Sequence, residues 1–145
     1  EETKYQKYKN CKASKKEIIF NEHLIDWNSP IVLVEGVFDA VKAGKNAVPV
    51  LGSWVDTKYE VFKKIIEKKC DVILALDPDA KGKQIKISEN LISYGIDVKN
   101  TQNLEKDLGD MTKKEAQNLI LNAKPFDNME RMRYLIRGIK SGSIF

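Results

Sequence analysis

The chain has 145 residues, 42% of them apolar and 32% charged, which suits one domain with a real core and a polar surface. No stretch nears the ~20 apolar residues that span a bilayer, and the opening EETKYQKYKN lacks the apolar run of a secretory signal. Its 25 basic and 21 acidic residues leave a net charge of +4, too mild to establish a nucleic-acid partner by itself.

Residues 1–29 read as a basic lead-in that packs onto the main domain through an apolar knot at Ile18, Ile19 and Phe20. Lys4, Lys7, Lys9, Lys12, Lys15 and Lys16 crowd this segment, and all three arginines (Arg131, Arg133, Arg137) fall near the other end. Such clusters are either solvated surface or two arms able to touch phosphates. There is no initiator Met, and the chain is expected to be a piece of a longer one. Two cysteines, Cys11 and Cys70, and one histidine, His23, cannot build a zinc site, so both thiols are expected to be reduced.

Pro30 disfavours helix at Ser29 and opens a first strand over 31–35. A short helix over 37–44 stops at Gly44. A second strand covers 47–52, where Pro49 demands an edge position or a bulge. Apolar residues at Tyr59, Phe62, Ile65 and Ile66 recur at helical spacing between Thr57 and about Lys69. VILAL at 72–76 is the third strand, 83–94 a helix ended by Gly95, and 96–98 a short fourth strand. Thr112 and Glu115 stand at capping-box spacing before the next helix. Pro125 breaks the pattern, and 128–140 reads as an amphipathic helix whose Met129, Met132, Leu135 and Ile136 are expected to pack on the sheet. Strand and helix alternate four times, which predicts an α/β fold with a small, about four-stranded, mostly parallel sheet and helices on both faces.

The first and third strands end in acid. Glu35 closes one, with Asp39 a helical turn later, and Asp77 and Asp79 follow the other across Pro78. In open α/β sheets ligands bind beyond the carboxyl ends of the strands. Carboxylates gathered there repel one another unless a cation sits among them, and oxygen-only donors suit Mg²⁺ or Mn²⁺. In an extended segment Asp77 and Asp79 would share a face and aim at one ion. The pattern points to magnesium-dependent phosphoryl transfer.

Glu35-Gly36-x-x-Asp39 followed by Asp77-x-Asp79 resembles the Toprim domain of primases, topoisomerases, recombination proteins and some nucleases. Glu35-Gly36-Val37-Phe38-Asp39, the strand and turn AVPVLGS at 47–53, and KDLGD at 106–110 are similar to the bacterial- and phage-type DNA primases. Upstream, Lys7-Tyr8-Lys9-Asn10-Cys11 resembles a basic motif that precedes the fold in that family. Leu108, Lys9 and Cys11 depart from the family pattern.

The resemblance implies a Toprim catalytic domain over 30–125, preceded by a segment of a polymerase lobe over 1–29 and followed by a helical extension over 126–145. It implies RNA primer synthesis on single-stranded DNA from ribonucleoside triphosphates, with two divalent ions and no zinc in this segment. Glu35, Asp77 and Asp79 are the implied catalytic ligands, and Asp39, Asp107 and Asp110 serve the second ion or its water shell. Lys7, Tyr8 and Asn10, with Lys81 and Lys83, are candidate contacts to nucleotide or template. A cytoplasmic setting, a replicative helicase as partner and no membrane association follow from the family. A nuclease that uses the same acids with water as nucleophile, and a non-catalytic docking module, are the alternatives.

Overall fold

Apolar runs along the chain become the strands of one sheet in the computed structural model, which describes residues 14, 16–51, 57–102 and 105–141. Strands β1 (Ile31–Val34), β2 (Ala47–Pro49), β3 (Val72–Ala75), β4 (Val98–Asn100) and β5 (Lys124–Pro125) lie in the order β2-β1-β3-β4-β5. The first four are parallel and β5 runs antiparallel to β4. Five α-helices accompany them among the described residues: α1 (Val37–Ala43), α2 (Glu60–Lys68), α3 (Lys81–Ser93), α4 (Lys113–Leu121) and α5 (Asn128–Ser141).

Alternation along β1 divides the core in two. Ile31 and Leu33 join Val61, Phe62 and Ile65 of α2 and Ile87 and Leu91 of α3 on one face. Val32 and Val34 meet Ala40 of α1, Ala116 of α4, Leu108 and Met111 on the other. Helices therefore cover both faces, and the central strands are apolar throughout because neither side meets water. Full burial of a side chain such as Phe62 or Leu74 is worth about 1.5–3 kcal/mol. The Phe62 ring also meets Tyr94 edge to face, with centroids 5.7 Å apart.

Of the apolar knot expected to dock the lead-in, Ile19 is buried in the larger core, Phe20 is half-buried and Ile18 is exposed. Ile25 joins the same core, and the Glu60 N–H donates to the Lys16 carbonyl. Cys70 is a buried free thiol that donates to the Trp27 carbonyl, and His23 is exposed. Pro49 sits on an edge strand, as its missing N–H requires. Gly44 and Gly95, at φ of 115° and 80°, end α1 and α3 in conformations that disfavour a Cβ. The Thr112 hydroxyl accepts from the Glu115 N–H at 3.2 Å while Glu115 accepts from the Thr112 N–H at 2.8 Å, closing the capping box.

Three expectations are corrected. The sheet has five strands rather than about four, because Lys124–Pro125 adds an edge strand with no apolar run to announce it. The fourth strand pairs at 98–100 rather than 96–98: Ile96 is buried in the core, but the ladder continues through Asn100. The apolar stripe of α5 does not pack on the sheet, since Met129, Met132, Ile136 and Ile139 are all exposed and only Leu135 is half-buried. The helix is held by its polar face instead, through ion pairs of Glu130 with Lys81 and Arg131 with Glu89. Among the described residues no helix is long and apolar enough to cross a membrane.

Candidate functional site

β1 and β3 are neighbours in register, so their carboxyl ends bring Glu35 and Asp77 to the same sheet edge. Asp77 is half-buried, and its Oδ1 is fully enclosed without a hydrogen-bond partner. Burial first, then the negative charges of Asp107, Asp39, Glu35 and Asp79, push its carboxyl from 3.8 up to about 6. Four of the other five acids picked out in the sequence therefore act on Asp77 at this edge. Asp110, exposed at the far end of the 3₁₀ turn Leu108–Asp110, is not among the charges acting on Asp77.

The acids are positioned by different devices. Asp39 lies in the first turn of α1 and accepts from the Gly36 N–H at 2.9 Å, capping the helix that carries it. Its other oxygen lies 3.0 Å from where a Cβ on Gly109 would stand, so the glycine lets the Leu108–Asp110 turn approach closely. Asp107 is the residue that opens this turn and the strongest charge on Asp77. Asp77 and Asp79 do not share an extended face. Pro78 starts a 3₁₀ turn over Pro78–Ala80 that rotates Asp79 outward to an exposed position.

The two lysines at the start of α3 are engaged. Lys83 reaches Glu35 at 3.1 Å, with both side chains largely withdrawn from solvent. Lys81 pairs with Glu130 of α5. Lys7, Tyr8 and Asn10 lie outside the described residues, as do Gly52 and Ser53 of the second motif.

Sequence reasoning passed over Glu130 and Asn100. Asn100 is fully buried at the end of β4; it accepts from the Ser88 hydroxyl at 3.3 Å and donates to Glu130 at 3.5 Å. This chain of polar contacts ties α5, through the end of β4, to Ser88 in the middle of α3. A lone Asn after a strand and a Glu on a surface helix carry no pattern that would have marked them.

Among the described residues no three acids, histidines or cysteines stand close enough to enclose one metal ion. The donor set nevertheless suits a hard cation of a particular kind. Mg²⁺ is held by one or two carboxylates and completes its shell with water and substrate phosphates. An orphaned, buried Asp77 oxygen beside other carboxylates offers such a partial site. A cleft of about 630 Å³, lined by Asp71, Ile92, Ile96, Lys99 and Phe126 among others, lies near the amino ends of β3 and β4, away from the acids.

No family model and no curated protein sequence matches the chain. Among solved structures it is similar to the crystal structure of the Aquifex aeolicus primase (zinc-binding and RNA polymerase domains), with a TM-score of 0.56 and 22% identity. The match covers 68% of this chain and 27% of that one, so this chain spans about a quarter of the primase's length. At that identity the likeness is one of fold: the chain shares its architecture with part of a primase.

Proposed function

We propose that this chain is a Toprim catalytic unit of DNA primase type, joining ribonucleotides on a single-stranded DNA template by metal-dependent nucleotidyl transfer. The observation that carries the reading is Asp77: a buried, unpartnered carboxylate oxygen under the charge of four other acids, at a strand end of a primase-related fold. Structural stability gains nothing from such crowding. A bound cation would relieve it.

Asp77, with Glu35 at the neighbouring strand end, would hold the ion directly, and Asp79, Asp39 and Asp107 would act on it through water or on a second ion. When bound, a divalent ion supplies charge neutralisation at the triphosphate and activates the attacking 3′-oxygen. The protein's own part is to bind and orient. Lys83, now paired with Glu35, is placed to exchange that carboxylate for a phosphate once the acids are neutralised. Lys81 stays with Glu130 and orders the start of α3.

The test is Mn²⁺ binding followed by electron paramagnetic resonance, with Asp77→Asn/Asp79→Asn alongside. Saturable binding that the double variant loses is expected; binding by both proteins alike, or by neither, refutes the metal assignment. Labelled single-stranded DNA with Mg²⁺, with and without ribonucleoside triphosphates, then reads the reaction. Extension products support primer synthesis. Cleavage without nucleotides identifies a nuclease built on the same acids.

A further inference from the structure

Phe38 is the most exposed large apolar residue of the described chain, at 83%, and it stands in the first turn of α1 directly beside Asp39. Val41, one turn along, is 57% exposed, and Lys42 lies four residues from Phe38 on the same side of the helix. Lys45 follows, exposed, just past the stop at Gly44. The buried face of α1 is supplied by Ala40, with Ala43 packed against the same core, so none of these four residues is needed for the interior. From the acidic edge outward, the helix thus presents an aromatic ring, a small apolar step and then two cations.

We propose that this face of α1 seats a single-stranded nucleic acid, one base stacked on Phe38 and the following backbone led along Lys42 and Lys45. The inference rests on the reading of the acidic edge as a polynucleotide site and adds where the strand lies. Size decides between a base and a protein partner. A stable protein interface needs about 800 Å² per partner, and two side chains fall far short of it. A single base needs one ring face, and stacking on an aromatic is tolerant of sequence because every base has a flat π-surface. Lys42 sits about 6 Å along the axis from Phe38, within reach of phosphates on either side of the stacked base. Charge agrees with this polarity: the acid-rich head of the helix requires a cation before phosphate approaches, whereas its tail attracts phosphate directly.

The experiment is fluorescence anisotropy of a labelled oligothymidylate of about 12 nucleotides against the 145-residue chain in Mn²⁺. Phe38→Ala and Phe38→Leu are expected to weaken binding by about 5- to 100-fold, the contribution of one stacked base, while Phe38→Trp keeps or strengthens it. Lys42→Ala/Lys45→Ala is expected to flatten the salt dependence by about 0.7 in log–log slope for each phosphate that the variant no longer neutralises. Phe38 is exposed, so these variants keep the fold, and circular dichroism verifies it. Wild-type affinity in Phe38→Leu overturns the proposal by showing that aromaticity is irrelevant, as does failure of the wild-type chain to bind the oligonucleotide. Either result with Mn²⁺ binding intact leaves the acidic site standing. Loss of Mn²⁺ binding in the wild type sinks the underlying reading instead.

Discussion

Replacing Asp77 by Asn is expected to stabilise the metal-free protein at neutral pH while abolishing its function. The carboxyl releases its proton at about 6 in the fold against 3.8 when free, because burial and neighbouring carboxylates oppose its charge. Keeping it ionised therefore costs the folded state about 3 kcal/mol well above the higher value, and solvent screening of a half-buried group brings that to about 2. The sign follows from a raised acid: its favourable contribution is complete below 3.8 and is lost as pH climbs through about 6. Urea denaturation in a chelating buffer should show Asp77→Asn about 2 kcal/mol more stable at about pH 8, narrowing to a few tenths at about pH 4. Mn²⁺ should reverse the order. At a hundredfold excess over its dissociation constant it adds about 2.7 kcal/mol to the wild type and nothing to a variant that cannot bind it. An Asn variant no more stable than the wild type at about pH 8 would contradict this account of Asp77, as would an advantage that does not change with pH.

Three further outcomes test neighbouring parts of the molecule. Lys83→Met removes a positive charge 3.1 Å from Glu35 and should tighten Mn²⁺ binding about fivefold, read in the same resonance titration. Gly82→Ala should be neutral to destabilising by about 1 kcal/mol, because its Cβ would stand 2.6 Å from the Tyr134 hydroxyl oxygen, the end of a side chain that must swing aside. In a Tyr134→Phe background the same change should turn stabilising, by the ~0.5–1 kcal/mol that Ala gains over Gly inside a helix, when midpoints of thermal unfolding are compared. Thr112→Ala opens the capping box and should cost about 1 kcal/mol in urea unfolding.

The parallel core was legible in the chain because β1 and β3 are uninterrupted β-branched and aliphatic runs, buried on both faces. Helix stops were legible for an equally local reason, since Gly44 and Gly95 occupy backbone regions that penalise a side chain. β5 was hidden because two exposed residues, one of them proline, carry no apolar signal; they pair only because Asn100 and Lys99 present a ladder to them. α5 was misread for the opposite reason. Its apolar stripe is clear, but hydropathy alone does not say which face a helix turns inward, and here Glu130, Arg131 and Tyr134 decide it. At the acidic edge, strand ends located Glu35 and Asp77 correctly relative to each other. The 3₁₀ turn after Pro78 and the engagement of Lys81 and Lys83 depend on tertiary neighbours that no local pattern contains.

Both border strands of the sheet carry a proline. The Val50 N–H turns inward to the Val34 carbonyl, so by alternation the nitrogen of Pro49 faces outward. The Phe126 N–H turns inward to Val98, which sets Pro125 outward in the same way. Each border of the sheet thus carries an outward nitrogen that cannot donate, one of the devices that blunt a sheet edge against a templated extra strand. The protein is thereby shielded from growing into edge-to-edge assemblies. A strand that tried to prolong the hydrogen-bond ladder at either described border would find a donor missing, which favours association through side chains on the helices and strand tips.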